Sequence, residues 1–230
     1  MEKLLFSLFF LAQLSLFAQD KVILKGEITN RISDHLTLSF QNHFVNYAPK
    51  TIRIPLKKDN TFAVEIEIDT LNHAFLGHGN QLTDLFLQAW DSIHIKTDGR
   101  NFQKSMTFKG LGGIENRCLA DFNQKFTKKS NPYPEKYQSL NPKSFRSFVD
   151  KIRKEETRFL KNYSYESTLS KEFVTYLQNK IDYTWANQLI KYPVYYEYLN
   201  QGKKQKYPNN YYDFLDEVLI QNQSALVNYE

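Results

Sequence analysis

The chain has 230 residues, an ordinary charged fraction of 24% and a net charge of +5 whose basic residues are scattered among acidic ones. That balance excludes wholesale disorder and argues against a nucleic-acid partner. The single cysteine, Cys118, excludes an internal disulfide and a Cys-x-x-Cys redox pair.

Met1-Glu2-Lys3 opens a charged start, followed by an apolar run over residues 4–17 broken only by Ser7, Gln13 and Ser15. Ala18 then supplies a small residue before Gln19. This pattern predicts a secretory signal peptide over residues 1–18, too short for a comfortable membrane span. No Cys lies near the cleavage point, so lipid attachment there is excluded. The mature protein is expected to begin near Gln19 and to lie outside the cytoplasm, with no stable membrane span after leader removal.

From Val22 the apolar residues alternate. Val22, Leu24, Gly26 and Ile28 are followed by Leu36, Leu38 and Phe40, then by Ile52, Ile54 and Leu56. Phe62, Val64, Ile66 and Ile68 alternate with Ala63, Glu65, Glu67 and Asp69, which predicts a strand with one wet face. Lys58-Asp59-Asn60 predicts a tight turn joining the last two strands as a hairpin. Further strands are expected at residues 73–77, 84–88, 92–97 and 105–109. Pro55 cannot donate to a ladder and places its strand at a sheet edge. The whole reads as an N-terminal antiparallel β-sandwich or partly open barrel over residues 19–110.

Gly110-Leu111-Gly112-Gly113 marks a joint, after which the apolar period becomes helical. Helices are predicted from Glu115 to Lys128, and from an Asn141-Pro142 start to about Asn162. Another is capped by Ser170 and ended by Pro193, and a short one covers residues 194–199. A last helix starts near Asn209. The fold class is therefore α+β, with an all-α segment over residues 111–230. Cys118, flanked by Ile114, Leu119 and Phe122, reads as a buried core residue.

Candidate chemistry is sparse. His35, His43, His73, His78 and His94 include no pair with metal-ligand spacing, so neither metal nor cofactor is expected. Glu65, Glu67 and Asp69 share a strand face that reads as solvated. The glycine joint lacks the Gly-Lys-Ser/Thr of a phosphate loop. Lys125, Lys128 and Lys129, and Lys203, Lys204 and Lys206, read as solvated helix ends or loops. The chain reads as non-catalytic. Tyr is concentrated at Tyr192, Tyr195, Tyr196 and Tyr198, rings with polar tips suited to half-buried contacts. Tyr195, Tyr196, Tyr198, Tyr212, Leu215 and Leu219 form the predicted interaction surface.

Lys25-Gly26-Glu27-Ile28, Asn60-Thr61-Phe62, Asp91-Ser92-Ile93, Phe108-Lys109-Gly110 and Asn116 occur in an order that resembles a known arrangement. With the later segments Leu169-Ser170-Lys171-Glu172-Phe173 and Tyr211-Tyr212-Asp213-Phe214-Leu215, the chain resembles the N-terminal region of exported thioredoxin-like, TlpA-type thiol–disulfide oxidoreductases. The resemblance covers essentially the whole mature chain. In that family a thioredoxin domain carrying the Cys-x-x-Cys pair follows, and no residue of that pair is present here. The chain stops within what the spacing predicts as a continuing helix, which reads as truncation or as a stand-alone relative. The resemblance implies an exported protein of the periplasm or outer envelope of a Gram-negative bacterium, and a non-catalytic accessory region that positions a thioredoxin-like domain or an envelope protein. The alternative is an independent exported binding protein for a glycan or peptide.

Overall fold

The computed structural model describes residues 21–40, 49–68, 72–130, 134–166, 168–219 and 221–226. The signal peptide predicted over residues 1–18 lies outside them, as do His43 and residues 227–230.

Among the described residues eight strands make two four-stranded sheets. They are β1 (Lys21–Thr29), β2 (His35–Phe40), β3 (Lys50–Pro55), β4 (Thr61–Glu67), β5 (Asn72–His78), β6 (Gln81–Leu87), β7 (Ser92–Asp98) and β8 (Thr107–Leu111). One sheet has the order β4-β1-β7-β8 and the other β3-β2-β5-β6. Alternate residues of both sheets meet in one apolar core. Val22, Leu24, Ile93 and Phe108 from the first pack with Leu36, Leu38, Leu76 and Leu85 from the second. The sheets do not close into a barrel, and the architecture is an α+β sandwich with helices appended.

The sheets are mostly antiparallel, with β1 and β7 paired in parallel at the centre of the first. One expectation about the sheets needs correction. The turn at Lys58-Asp59-Asn60 forms, with the Asn60 amide donating to the Lys57 carbonyl at 3.0 Å and Asn60 at φ 65°. It does not close a hairpin. β3 pairs with β2 and β4 with β1, so the turn carries the chain from one sheet to the other. Ile54 and Phe62 still point into the same core, and alternation reports which face is buried, not which neighbour is paired. β3 lies at a sheet edge, where Pro55 is tolerated.

The glycine joint works as steric chemistry requires. Gly110 (φ 90°) and Gly112 (φ 81°) sit in the left-handed region. A Cβ on Gly110 would lie 2.1 Å from the Ser92 carbonyl oxygen, and one on Gly112 would lie 2.5 Å from the Asp91 carboxylate.

Five α-helices among the described residues accompany the sheets: α1 (Phe102–Ser105), α2 (Gly113–Ser130), α3 (Pro134–Ser139), α4 (Pro142–Glu166) and α5 (Lys171–Leu199). The caps are the expected ones. Asn141 Oδ1 accepts from the Ser144 amide at 2.9 Å, and Ser170 Oγ accepts from Phe173 at 3.3 Å. Phe86 is the bridge between layers. It points away from its neighbours Leu85 and Leu87, out of the sandwich, into a second core formed by Cys118, Phe122, Leu160, Phe173 and Tyr176. A third core joins α3, α4 and α5 through Tyr137, Phe145, Trp185, Leu189 and Tyr192.

Pro193 does not end its helix. α5 runs unbroken through it to Leu199, absorbing the separate helix expected over residues 194–199. The chain then turns through Gln201 (φ 56°) and Gly202 (φ 84°) and returns along α5. Among the described residues the predicted last helix does not form. The described residues from 207 to 226 instead contain two 3₁₀ turns, Asp213–Glu217 and Gln223–Ala225, with Val218 extended between them. Spacings of three residues fit a 3₁₀ turn as well as an α-helix, and the apolar pattern alone does not separate them.

Candidate functional site

The six residues of the predicted interaction surface fall in two places. Tyr195 and Tyr198 lie on the outer side of α5, and Tyr198 is 78% exposed. Ile190 and Val194 precede Tyr198 at intervals of four residues, so the three form one apolar stripe, with Val194 70% exposed. Tyr195 flanks the stripe and leans on Tyr137 at 5.0 Å between ring centroids. Tyr196 is on the other face. It is buried in the third core beside Tyr192, because it continues the inward row of Trp185, Leu189 and Tyr192. Tyr212, Leu215 and Leu219 belong to the returning segment. Tyr212 is half exposed against Tyr211 at 5.0 Å, Leu215 is partly buried against the helices, and Leu219 is exposed while its carbonyl accepts from the Tyr183 hydroxyl. Ile190 and Val194 lie outside the surface the sequence predicts, because a proline at 193 normally ends a helix and separates them. Their spacing with Tyr198 was the available signal.

The single thiol is sequestered. Cys118 is fully buried in the second core. Burial, with added repulsion from Asp121 and Glu115, pushes its thiol up to about 12, far from the range of a reactive thiolate.

Two buried histidines hold structure together. His78 donates from Nδ1 to the His35 carbonyl at 3.1 Å and accepts at Nε2 from the Ile32 amide at 3.0 Å, a pattern that assigns its tautomer. His73 Nε2 lies 3.2 Å from Asp84 Oδ1, and Asn123 of α2 donates to the other carboxylate oxygen. Burial raises the Asp84 carboxyl, but the bond and charge of His73, with Lys180 and Asn123, outweigh it and hold the group below the usual carboxylate range. Among the described residues no group of three or more His, Cys, Asp or Glu side chains could hold a metal ion.

Behind the glycine joint lie two buried carboxylates. Asp91 Oδ2 accepts from the Gln88 amide at 2.9 Å, yet burial, reinforced by the charge of Glu115, raises its carboxyl to about 6. Glu115 Oε1 accepts from the Ser170 amide at 3.1 Å and so ties the start of α2 to the start of α5.

The feature that sequence reasoning passed over is a groove of about 990 Å³ between α4, α5 and the returning segment. Its floor is a chain of charged contacts. Trp185 Nε1 donates to Asp150 Oδ1 at 2.8 Å, and Arg146 Nε donates to the same carboxylate at 3.0 Å. Glu217 then accepts from both Arg146 and Arg153 at 2.7 Å, and Arg153 Nε donates to Asp182 at 2.8 Å. Both guanidinium groups lie over the Trp185 ring, Arg153 at 3.9 Å and Arg146 at 4.8 Å from its centroid. Lys154, Arg158 and Lys161 line the same groove, spaced four and three residues apart along one face of α4. In the sequence these cations are interleaved with Glu155, Glu156 and Asp150, so no run of like charge betrays them.

Among the described residues no helix is long and apolar enough to cross a membrane. Compared with known protein families and with curated proteins, the chain matches no family model and no curated sequence.

Proposed function

We propose that this chain is a non-catalytic, exported accessory module of the thioredoxin-like class, and that it positions a thioredoxin-like domain or another envelope protein. The observation that carries this reading is the uncovered stripe of Ile190, Val194 and Tyr198 on α5, flanked by Tyr195. Four large apolar side chains gathered on one helix face suit an amphipathic contact with a second protein better than they suit water. The buried Cys118 supports the non-catalytic part of the reading, since a thiol held at about 12 supplies almost no thiolate at neutral pH.

The test is a titration with an envelope thioredoxin-like domain bearing an intact Cys-x-x-Cys pair. Wild-type chain is expected to bind it, and Val194→Glu with Tyr198→Glu to weaken binding at least tenfold. Insulin reduction by the chain alone is expected to stay at background. Failure to associate overturns the positioning role, and Cys118-dependent turnover overturns the non-catalytic assignment.

A further inference from the structure

We propose that the groove between α4 and α5 binds an acidic oligosaccharide, a sugar chain bearing carboxylate or sulfate groups. This is a separate site from the apolar stripe and does not depend on the positioning role.

Three observations carry it. First, the groove is cationic in balance: Arg146, Arg153, Lys154, Arg158 and Lys161 face only Asp150, Asp182 and Glu217. Those three carboxylates are all engaged by Arg146 and Arg153. Lys154, Arg158 and Lys161 form no hydrogen bond or ion pair among the described residues, so their charge is available to a ligand.

Second, the two arginines are already in place. Each is held by two carboxylates and stacked on Trp185, and each keeps guanidinium donors beyond those it uses. A ligand therefore meets a fixed pair of donors and is spared the cost of ordering them.

Third, the lining favours a hydroxylated chain over a peptide. No aromatic or aliphatic side chain lines the groove among the described residues, and Trp185, buried beneath Arg146 and Arg153, is covered by their guanidinium groups, leaving no anchor pocket of the kind that peptide hot spots fill. Thr157, Asn162 and Gln178 add hydroxyl and amide groups beside the cations, which match sugar hydroxyls. From Arg146 to Lys161 the helix rises about 22 Å at 1.5 Å per residue, a span suited to an extended ligand rather than a single small anion.

Calorimetry with a heparin-derived oligosaccharide and with oligogalacturonate tests this on the full mature chain, with poly-glutamate as the peptide comparison. Binding of at least one of the two glycans is expected, weakening as salt rises. The triple variant Lys154→Ala, Arg158→Ala, Lys161→Ala is expected to lose tenfold or more in affinity. Lys203→Ala, Lys204→Ala, Lys206→Ala removes the same charge from the loop after α5 and is expected to stay within twofold. Both triples change exposed side chains, and circular dichroism and melting confirm that each is folded. No binding to either glycan overturns the proposal. Equal losses in the two triples overturn it as undirected charge attraction, and poly-glutamate binding as tightly as the glycans replaces the sugar chain with an acidic peptide.

Discussion

The Tyr211 hydroxyl donates to the carbonyl of Leu189 at 2.8 Å, and Leu189 is the residue four before Pro193. Proline has no amide hydrogen to return to that carbonyl. Tyr211, brought back along α5 by the returning segment, supplies the missing donor from inside the third core. Burial and the neighbouring tyrosines hold its hydroxyl well above the usual tyrosine range, so it stays a donor. A long helix with an interior proline and a 3₁₀ segment that packs along it are therefore one device.

The first prediction follows directly. Tyr211→Phe leaves a buried carbonyl without a partner and is expected to cost about 1–3 kcal/mol. For a domain of this size that is a fall of roughly 2–4 °C in melting temperature per kcal/mol. In a Pro193→Ala background the restored amide can satisfy Leu189, so the same Tyr211→Phe change is expected to cost much less. A double-mutant cycle by thermal or urea unfolding measures the coupling. Additive effects would mean the hydroxyl does not serve the proline.

The second concerns how the sandwich is fastened to the helices. β6 is an edge strand, and the Asn116 side chain pairs with its free edge as a third strand would. Its Oδ1 accepts from the Phe86 amide at 3.0 Å, and its Nδ2 donates to the Phe86 carbonyl and to the Gly112 carbonyl, each at 2.8 Å. All of this is buried. Asn116→Ala strands two or more buried backbone groups and is expected to destabilise by roughly 2–4 kcal/mol. Denaturant midpoints check it, and a loss under about 0.5 kcal/mol would show that the edge is not held by this amide.

How much of this was legible depends on the range of the interaction. Strand positions, the glycine joint and the Asn141 and Ser170 caps are written locally, in alternation, backbone freedom and side-chain hydrogen bonding. What escaped depends on residues far apart in sequence. Whether Lys58-Asp59-Asn60 makes a hairpin or an inter-sheet crossing is decided by β1 and β2, not by the turn. Whether Pro193 stops a helix is decided by Tyr211. The inward turn of Tyr196 against the outward Tyr195 was readable from its four-residue spacing to Tyr192. The groove was not, because Glu217 joins Arg146 and Arg153 only once the returning segment has folded back.

A third prediction is a pH dependence. Burial, with Glu115 adding repulsion, raises the folded Asp91 carboxyl from 3.8 to about 6. Its ionised form is the disfavoured one in the fold. Its contribution to stability is thus fully present below about 4, is lost as pH rises from about 4 to 6, and is absent above. Asp91→Asn keeps an oxygen for the Gln88 amide and cannot ionise. Its melting temperature relative to wild type is expected to be higher at pH 8 than at pH 4. A gap that does not widen with pH over this range would remove Asp91 as the responsible group.

A fourth concerns Cys118. With its thiol buried and raised to about 12, it is expected to resist a water-soluble aromatic disulfide reagent at pH 8 until the protein is unfolded by denaturant. Cys118→Ser puts a hydroxyl among Leu119, Phe122 and Phe173 and is expected to cost about 1–3 kcal/mol. Rapid labelling of the native protein would mean that the second core opens readily.

The last prediction addresses the returning segment, whose apolar spacing reads as an unfinished helix in need of a cover. Its cover is largely its own protein. Tyr211 and Phe214 are buried in the third core, Phe214 meets Trp185 edge-on at 5.8 Å, and Glu217 is held by two arginines. The amides of Tyr211, Asp213, Leu215 and Val218 donate to backbone carbonyls three residues earlier. Hydrogen exchange at several protein concentrations is therefore expected to show protection over residues 211–218 that does not change with concentration. Beyond Leu219, which is 73% exposed, the described residues are held by the single short turn Gln223–Ala225, where the Ala225 and Leu226 amides donate three residues back, and by side-chain contacts such as Asn179 Nδ2 to Ser224 Oγ at 3.1 Å, so exchange over residues 221–226 is expected to be faster than over 211–218. Protection of residues 211–218 that appears only at high concentration would mean that the segment needs a second molecule to seat it, and that Tyr211 is not a standing partner for Leu189.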